Sequence, residues 1–131
     1  MKSPYAEVED DIRRALLEVE ALMLQAFAVV DESPEPGSAL DQGGLRDGAG
    51  IVLDYLRHNE AGVALEHLVY MVREPSLPIS RETFMFIGRA GRAMGMDPEA
   101  WRDIRPSAVP PVGETMLSSI HSEVRQFEKG T

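Results

Sequence analysis

Residues 4–31 read PYAEVEDDIRRALLEVEALMLQAFAVVD, and this stretch decides the fold. Tyr5, Val8, Ile12, Ala15, Val19, Leu22, Ala26 and Val30 recur at steps of three and four, the spacing that lines one face of an α-helix. Ser3 and Pro4 form an N-cap followed by a proline in the first helical position. Glu7, Glu9, Asp10 and Asp11 come next, where the positive end of the helix dipole favours anions. SPEPGS at 33–38 is a breaker, so a long first helix is predicted over 4–31. A second apolar line, Leu17, Ala21, Leu24 and Ala28, lies on the other side of the same helix. A helix apolar on two sides is buried on two sides. Two occupants fit that second line: the last helix of the chain folded back, or a dimer or partner surface.

Helical periodicity continues downstream, and strand signals are weak everywhere. Residues 39–48 are glycine-rich and read as irregular or as one short turn. A second helix fits 49–58, with Ile51, Val52, Tyr55 and Leu56 apolar. A third fits 60–74, with Ala61, Ala64, Leu65, Leu68 and Val72 on one face and the break near Asn59. Ser80 caps a fourth helix over 81–95 that ends near Gly95. Asp97-Pro98-Glu99 opens a short fifth helix to Ile104. RPSAVPPVG at 105–113 is a linker or strap, and a last helix fits 114–128, with Met116, Leu117, Ile120, Val124 and Phe127 on one narrow face. The expected fold is all-α, a compact bundle of five to six helices with a long first helix. The expected organisation is a helical domain over 1–104, with the proline-rich strap and C-terminal helix of 105–131 packed on it. Gly88, Gly91 and Gly95 fall on nearly one face of the fourth helix. Each costs about 1 kcal/mol relative to alanine, so another backbone is expected to approach closely there.

The chain has 131 residues, no cysteine and a net charge of −9. Residues 1–66 hold 14 acids and 5 bases, whereas residues 67–131 hold 8 of each, so the first half carries the whole excess. Such a surface repels nucleic acid and anionic membranes. It suits a basic partner and fast association with one, although plain solubility is the more ordinary reason for such a charge. No apolar run approaches the length of a membrane span, and MKSPYAEVEDD lacks the apolar core of a secretory signal. A soluble, cytoplasmic protein is the expectation.

Catalytic constellations are poor. Without cysteine there is no thiol nucleophile, disulfide or Cys-rich zinc site. His58-Asn59-Glu60 is an H-x-E triplet, but deaminase-type zinc sites also need a cysteine pair. His58 reads instead as an exposed residue at a helix end. Asp47-Gly48-Ala49-Gly50 precedes a helix yet lacks the Lys-Ser/Thr sequel of a phosphate loop. The expectation is no enzyme activity, no cofactor and no metal. Arg81, Arg89, Arg92, Arg102 and Arg105 form either a small basic patch or a solvated face paired with Glu82, Glu99 and Asp103. Val63, His67 and Tyr70 lie opposite the core stripe of the third helix, as an interface anchor or under the 105–113 strap.

One stretch adds a family likeness. DYLRHNEAGVALEHL at 54–68, PISRET at 78–83 and IGRAGRAMGM at 87–96 resemble the small all-helical immunity proteins of bacterial polymorphic-toxin systems, the Maf-type family in particular. The likeness covers about 45–104 and includes Asn59-Glu60, Gly62, Ala64-Leu65-Glu66, the Ile79-Ser80 cap and the Asp-Pro-Glu-Ala-Trp segment. It implies a protein that binds and blocks a cognate toxin, often a nuclease, by stoichiometric inhibition. The expected partner is therefore a basic toxin protein, with the chain itself a monomer or weak homodimer. Charge density, independently of the likeness, picks Asp10, Asp11, Asp31, Glu32, Asp41 and Asp47 as the partner-binding residues. The alternative is a non-enzymatic helical adaptor or scaffold subunit, homodimeric through Leu17 and Leu24.

Overall fold

The computed structural model describes residues 4–107. The Ser3 cap, the strap from residue 108 onward and the helix expected over 114–128 lie outside the described residues. Within the described part the chain is all-helical, with four α-helices and no strand: α1 (Pro4–Val29), α2 (Gly48–Arg57), α3 (Ala61–Arg73) and α4 (Arg81–Ala93). The expected fifth helix is a single 3-10 turn, Pro98–Ala100. Its cap is as expected, with Asp97 Oδ1 accepting from Glu99 N at 3.0 Å. It stops because the Ala100 carbonyl accepts from Arg73 Nη2 at 2.6 Å, and Ile104 N turns back to Trp101 O instead.

Polar ties fix the topology. Tyr5 at the start of α1 donates to Leu56 O at the end of α2, so α2 runs down against α1. Tyr70 near the end of α3 donates to Gly43 O, just before α2, so α3 runs up again. Asp11 meets Arg89 and Glu18 meets Ser80, which sets α4 antiparallel to α1. The four helices make an up-down-up-down bundle.

All four helices close with a Schellman-type turn. A residue of positive φ follows each: Asp31 (55°), Asn59 (58°), Ser76 (52°) and Gly95 (73°). The next amide then reaches back, Glu32 to Phe27 O, Glu60 to Tyr55 O, Leu77 to Val72 O and Met96 to Gly91 O, at 2.8–2.9 Å. Only Gly95 is free of the Cβ penalty, which is about 1–2 kcal/mol for an ordinary L-residue.

The core-facing side of α1 is Val8, Ile12, Ala15, Leu16, Val19, Met23 and Phe27, packed on Val52, Leu56, Leu65, Leu68, Val72 and Ile87. Tyr5, Leu22 and Ala26 are only half-buried and Val30 is exposed, so the true stripe rotates relative to the expected one toward the C-terminus. Three groups on α1 and α4 stitch the helices. Asp11 accepts two bonds from Arg89, at 2.8 and 2.9 Å. Glu18 accepts from Ser80 N at 2.8 Å, from Ser80 Oγ at 2.7 Å and from Thr83 Oγ1. Ser80 Oγ in turn caps Thr83 N at 3.1 Å, so a carboxylate sits where the α4 dipole is positive.

The close approach at Gly88 and Gly91 comes from a side chain rather than a backbone. A Cβ on Gly91 would stand 2.2 Å from Trp101 Cζ3, and Trp101 is buried. Gly95 has no neighbour there and serves the α4 cap.

Candidate interaction surface

The connection from α1 to α2, residues 30–47, carries Asp31, Glu32, Glu35, Asp41 and Asp47 against a single cation, Arg46. It contains no helix or strand, yet hydrogen bonds hold it along its length. Asp31 and Glu32 are both left-handed, with φ of 55° and 63°. Arg46 clamps Glu32: Nη1 donates to Glu32 Oε1 at 2.8 Å and Nη2 to Glu32 O at 2.6 Å. The Arg46 guanidinium lies 4.3 Å above the Phe27 ring centroid, which adds a cation–π contact at the end of α1. Asp41 Oδ2 accepts from Gly37 N at 2.8 Å, and Gln42 Nε2 donates to Ser38 O.

Farther along, α3 reaches under the turn at Gly43-Gly44. Tyr70 donates to Gly43 O at 2.6 Å, and His67 Nε2 lies 2.9 Å from Gly44 O. That contact requires the Nε2–H tautomer. Gly44 has φ of 83°, and a Cβ there would stand 2.8 Å from His67 Cε1, so this site admits only glycine. Tyr70 and His67 thus hold the acidic connection, while Val63 stays partly exposed.

Of the six carboxylates chosen from charge density, Glu32 is paired with Arg46, and Asp31 and Asp47 are exposed on the same connection. Asp41 lies on the same connection, and Asp47 stands at the N-cap of α2 without a side-chain capping bond. Asp10 and Asp11 are elsewhere, about 27 Å from the end of α1 at 1.5 Å per residue. Asp11 is 7% exposed and engaged by Arg89, and its hydrogen bonds raise the Arg89 pKa. Asp10 lines a shallow groove with Glu7, Arg14 and Arg89. Beside Asp31, Val29 is 84% exposed. Charge density found the acidic connection, but nothing in sequence flagged Arg46, His67 or Tyr70 as its supports, since their partners lie 14 to 27 residues away.

The remaining cations are divided. Arg89 pairs with Asp11, and Arg102 pairs with Glu99 at 2.9 Å. Asp103 pairs with Arg73, whose guanidinium holds its carboxyl below the usual range. His58 is exposed at the end of α2, with Nδ1 2.8 Å from Asp54 O. Among the described residues no three His, Asp or Glu side chains converge as a metal ion requires, and no helix there is long and apolar enough to cross a membrane. An open groove of about 460 Å³ lies between Val72, Arg73, Leu77, Asp103 and Ile104.

No family model, curated protein or solved structure matches the chain. What it offers a partner is set by its own geometry: an acidic, pinned connection bordered by an exposed valine.

Proposed function

We propose that this protein is an immunity protein, which neutralises a cognate bacterial toxin by stoichiometric binding rather than by turnover. One observation carries the reading. Asp31, Asp41 and Asp47 are exposed on a connection that follows the exposed Val29 and is held by Arg46, His67 and Tyr70. A connection fixed before binding loses little conformational entropy on docking. Its uncompensated carboxylates speed encounter with a basic protein. A nuclease must hold phosphates in a cationic cleft, so a nuclease domain is the toxin chemistry that such a surface fits best. The family likeness over 45–104 points the same way.

The test is inhibition of the captured toxin. One equivalent of this protein abolishes the toxin's activity, and the association rate falls with salt. Asp31→Asn/Asp41→Asn/Asp47→Asn keeps side-chain shape and one acceptor oxygen per residue while removing charge, and it associates about tenfold more slowly at low salt. An unchanged rate would remove the acidic connection from the contact surface.

A second reading, a helical adaptor that pairs with another copy, is favoured by the exposure of Leu17 and Leu24. Light scattering of Leu17→Glu/Leu24→Glu decides it: loss of a dimer with helical circular dichroism intact supports the adaptor.

A further inference from the structure

The second apolar line of α1 is open among the described residues. Leu17 is 72% and Leu24 65% exposed, and Ala21 and Ala28 are exposed with them. The Leu24–Ala28 end of this line borders the acidic connection, since Leu24 shares a groove with Glu32 and Arg46, but the partner-binding reading rests on the carboxylates of 31–47 and does not use the line. α4 does not cover it. The N-terminus of α4 stands at Glu18, and α4 runs from there toward Asp11, away from Ala21, Leu24 and Ala28.

We propose that the seat is taken by this chain's own residues 114–128. The first support is where the described chain ends. Ser107 N donates to Ile79 O at 2.7 Å, and the neighbouring Ser80 N donates to Glu18 at 2.8 Å. The chain therefore leaves two hydrogen bonds from the residue that follows Leu17. Residues 108–113, extended, reach about 20 Å, enough to bring residue 114 to either end of the line. The second support is pattern. Met116, Leu117, Ile120, Val124 and Phe127 fall on one narrow helical face. From Met116 to Phe127 is about 16 Å in a helix, the same length as Leu17 to Ala28. The third is charge. A second copy would bring another net −9 against α1, whereas residues 114–131 carry three acids and two bases.

The chain has no cysteine, so introduced thiols report without background. Ala21 sits at the middle of the line, which makes the test independent of the direction in which 114–128 runs. In the full chain, Ala21→Cys is paired in turn with Ile120→Cys and Val124→Cys and oxidised at high dilution. The expected result is a disulfide within one chain in at least one pair, reversed by reductant, on a monomer with unaltered helical circular dichroism. No disulfide in either pair, or one that joins two copies, would overturn the proposal.

A second measurement does not depend on disulfide geometry. Ala21→Cys alone should alkylate about tenfold more slowly than Ser33→Cys, because the cover must open first. Adding Ile120→Asp should restore the fast rate. Equal rates at the two single-cysteine sites would show an open line and overturn the proposal.

Discussion

Replacing Gly91 with alanine tests how Trp101 is seated. Gly91 is buried in the last turn of α4. Its added methyl would stand 2.2 Å from Trp101 Cζ3 and 2.4 Å from Cη2, well inside contact distance, and the obstacle is a rigid ring that is 2% exposed. Alanine gains about 1 kcal/mol of helix propensity over glycine. Against that, overpacking costs about 1–3 kcal/mol, and loss of a buried tryptophan side chain from its site about 3–5 kcal/mol. The balance is a net destabilisation of about 2 kcal/mol, or a melting temperature lower by about 10 °C for a domain of this size. Trp101 is the chain's one tryptophan, so its fluorescence reports the displacement directly while circular dichroism in urea reports stability. Gly62→Ala is the control: it lies in the first turn of α3 with no neighbour within 4 Å and should not lose stability, since propensity there favours alanine by up to about 1 kcal/mol. If Gly91→Ala is as stable as the wild type and its emission maximum does not move, the indole does not rest on α4.

Three further outcomes follow from the same geometry. Ser76→Gly relieves a left-handed serine (φ 52°) at the α3 cap and should raise stability in urea by about 0.5–1 kcal/mol; a loss would mean that the serine side chain supports the turn. Glu18→Ala deprives Ser80 N, Ser80 Oγ and Thr83 Oγ1 of their acceptor and should cost about 2 kcal/mol, whereas an unchanged midpoint would mean water replaces the carboxylate freely. Hydrogen bonding to Arg73 lowers the Asp103 pKa in the folded protein, so this pair stabilises above the unfolded carboxylate pKa and ceases to as pH falls through the lowered value. The stability gap between wild type and Arg73→Gln should therefore narrow on acidification below about pH 4, leaving the part due to the Arg73 bond with Ala100 O; a gap of unchanged size would remove the ion pair from the Arg73 effect.

Local signals in the sequence survive into the structure; long-range ones do not. The ends of α1, α2, α3 and α4 lie within two residues of the periodicity reading, because caps, breakers and apolar spacing act within a turn or two. The all-helical class follows from the same signals. What three-dimensional closure decides was hidden. The segment after Pro98 stays a single 3-10 turn because Arg73, on α3, takes the Ala100 carbonyl. Crowding at Gly91 was legible, but an indole ten residues on, rather than a backbone, causes it. The acidic character of 30–47 could be counted from composition, yet its fixed shape depends on Arg46, His67 and Tyr70 meeting Glu32, Gly44 and Gly43. Charge density also grouped Asp11 with the surface acids, although the fold buries it against Arg89.

As proposed, this chain holds one basic protein through its acidic connection. Affinity capture from the native cell lysate at low salt, with this protein as bait and mass spectrometry as the readout, tests it most directly. The expected result is one dominant basic protein, recovered near one-to-one, released by salt, and lost when the bait is Asp31→Asn/Asp41→Asn/Asp47→Asn. Recovery of the bait's own copies alone, or equal recovery with the charge-neutral bait, would contradict it.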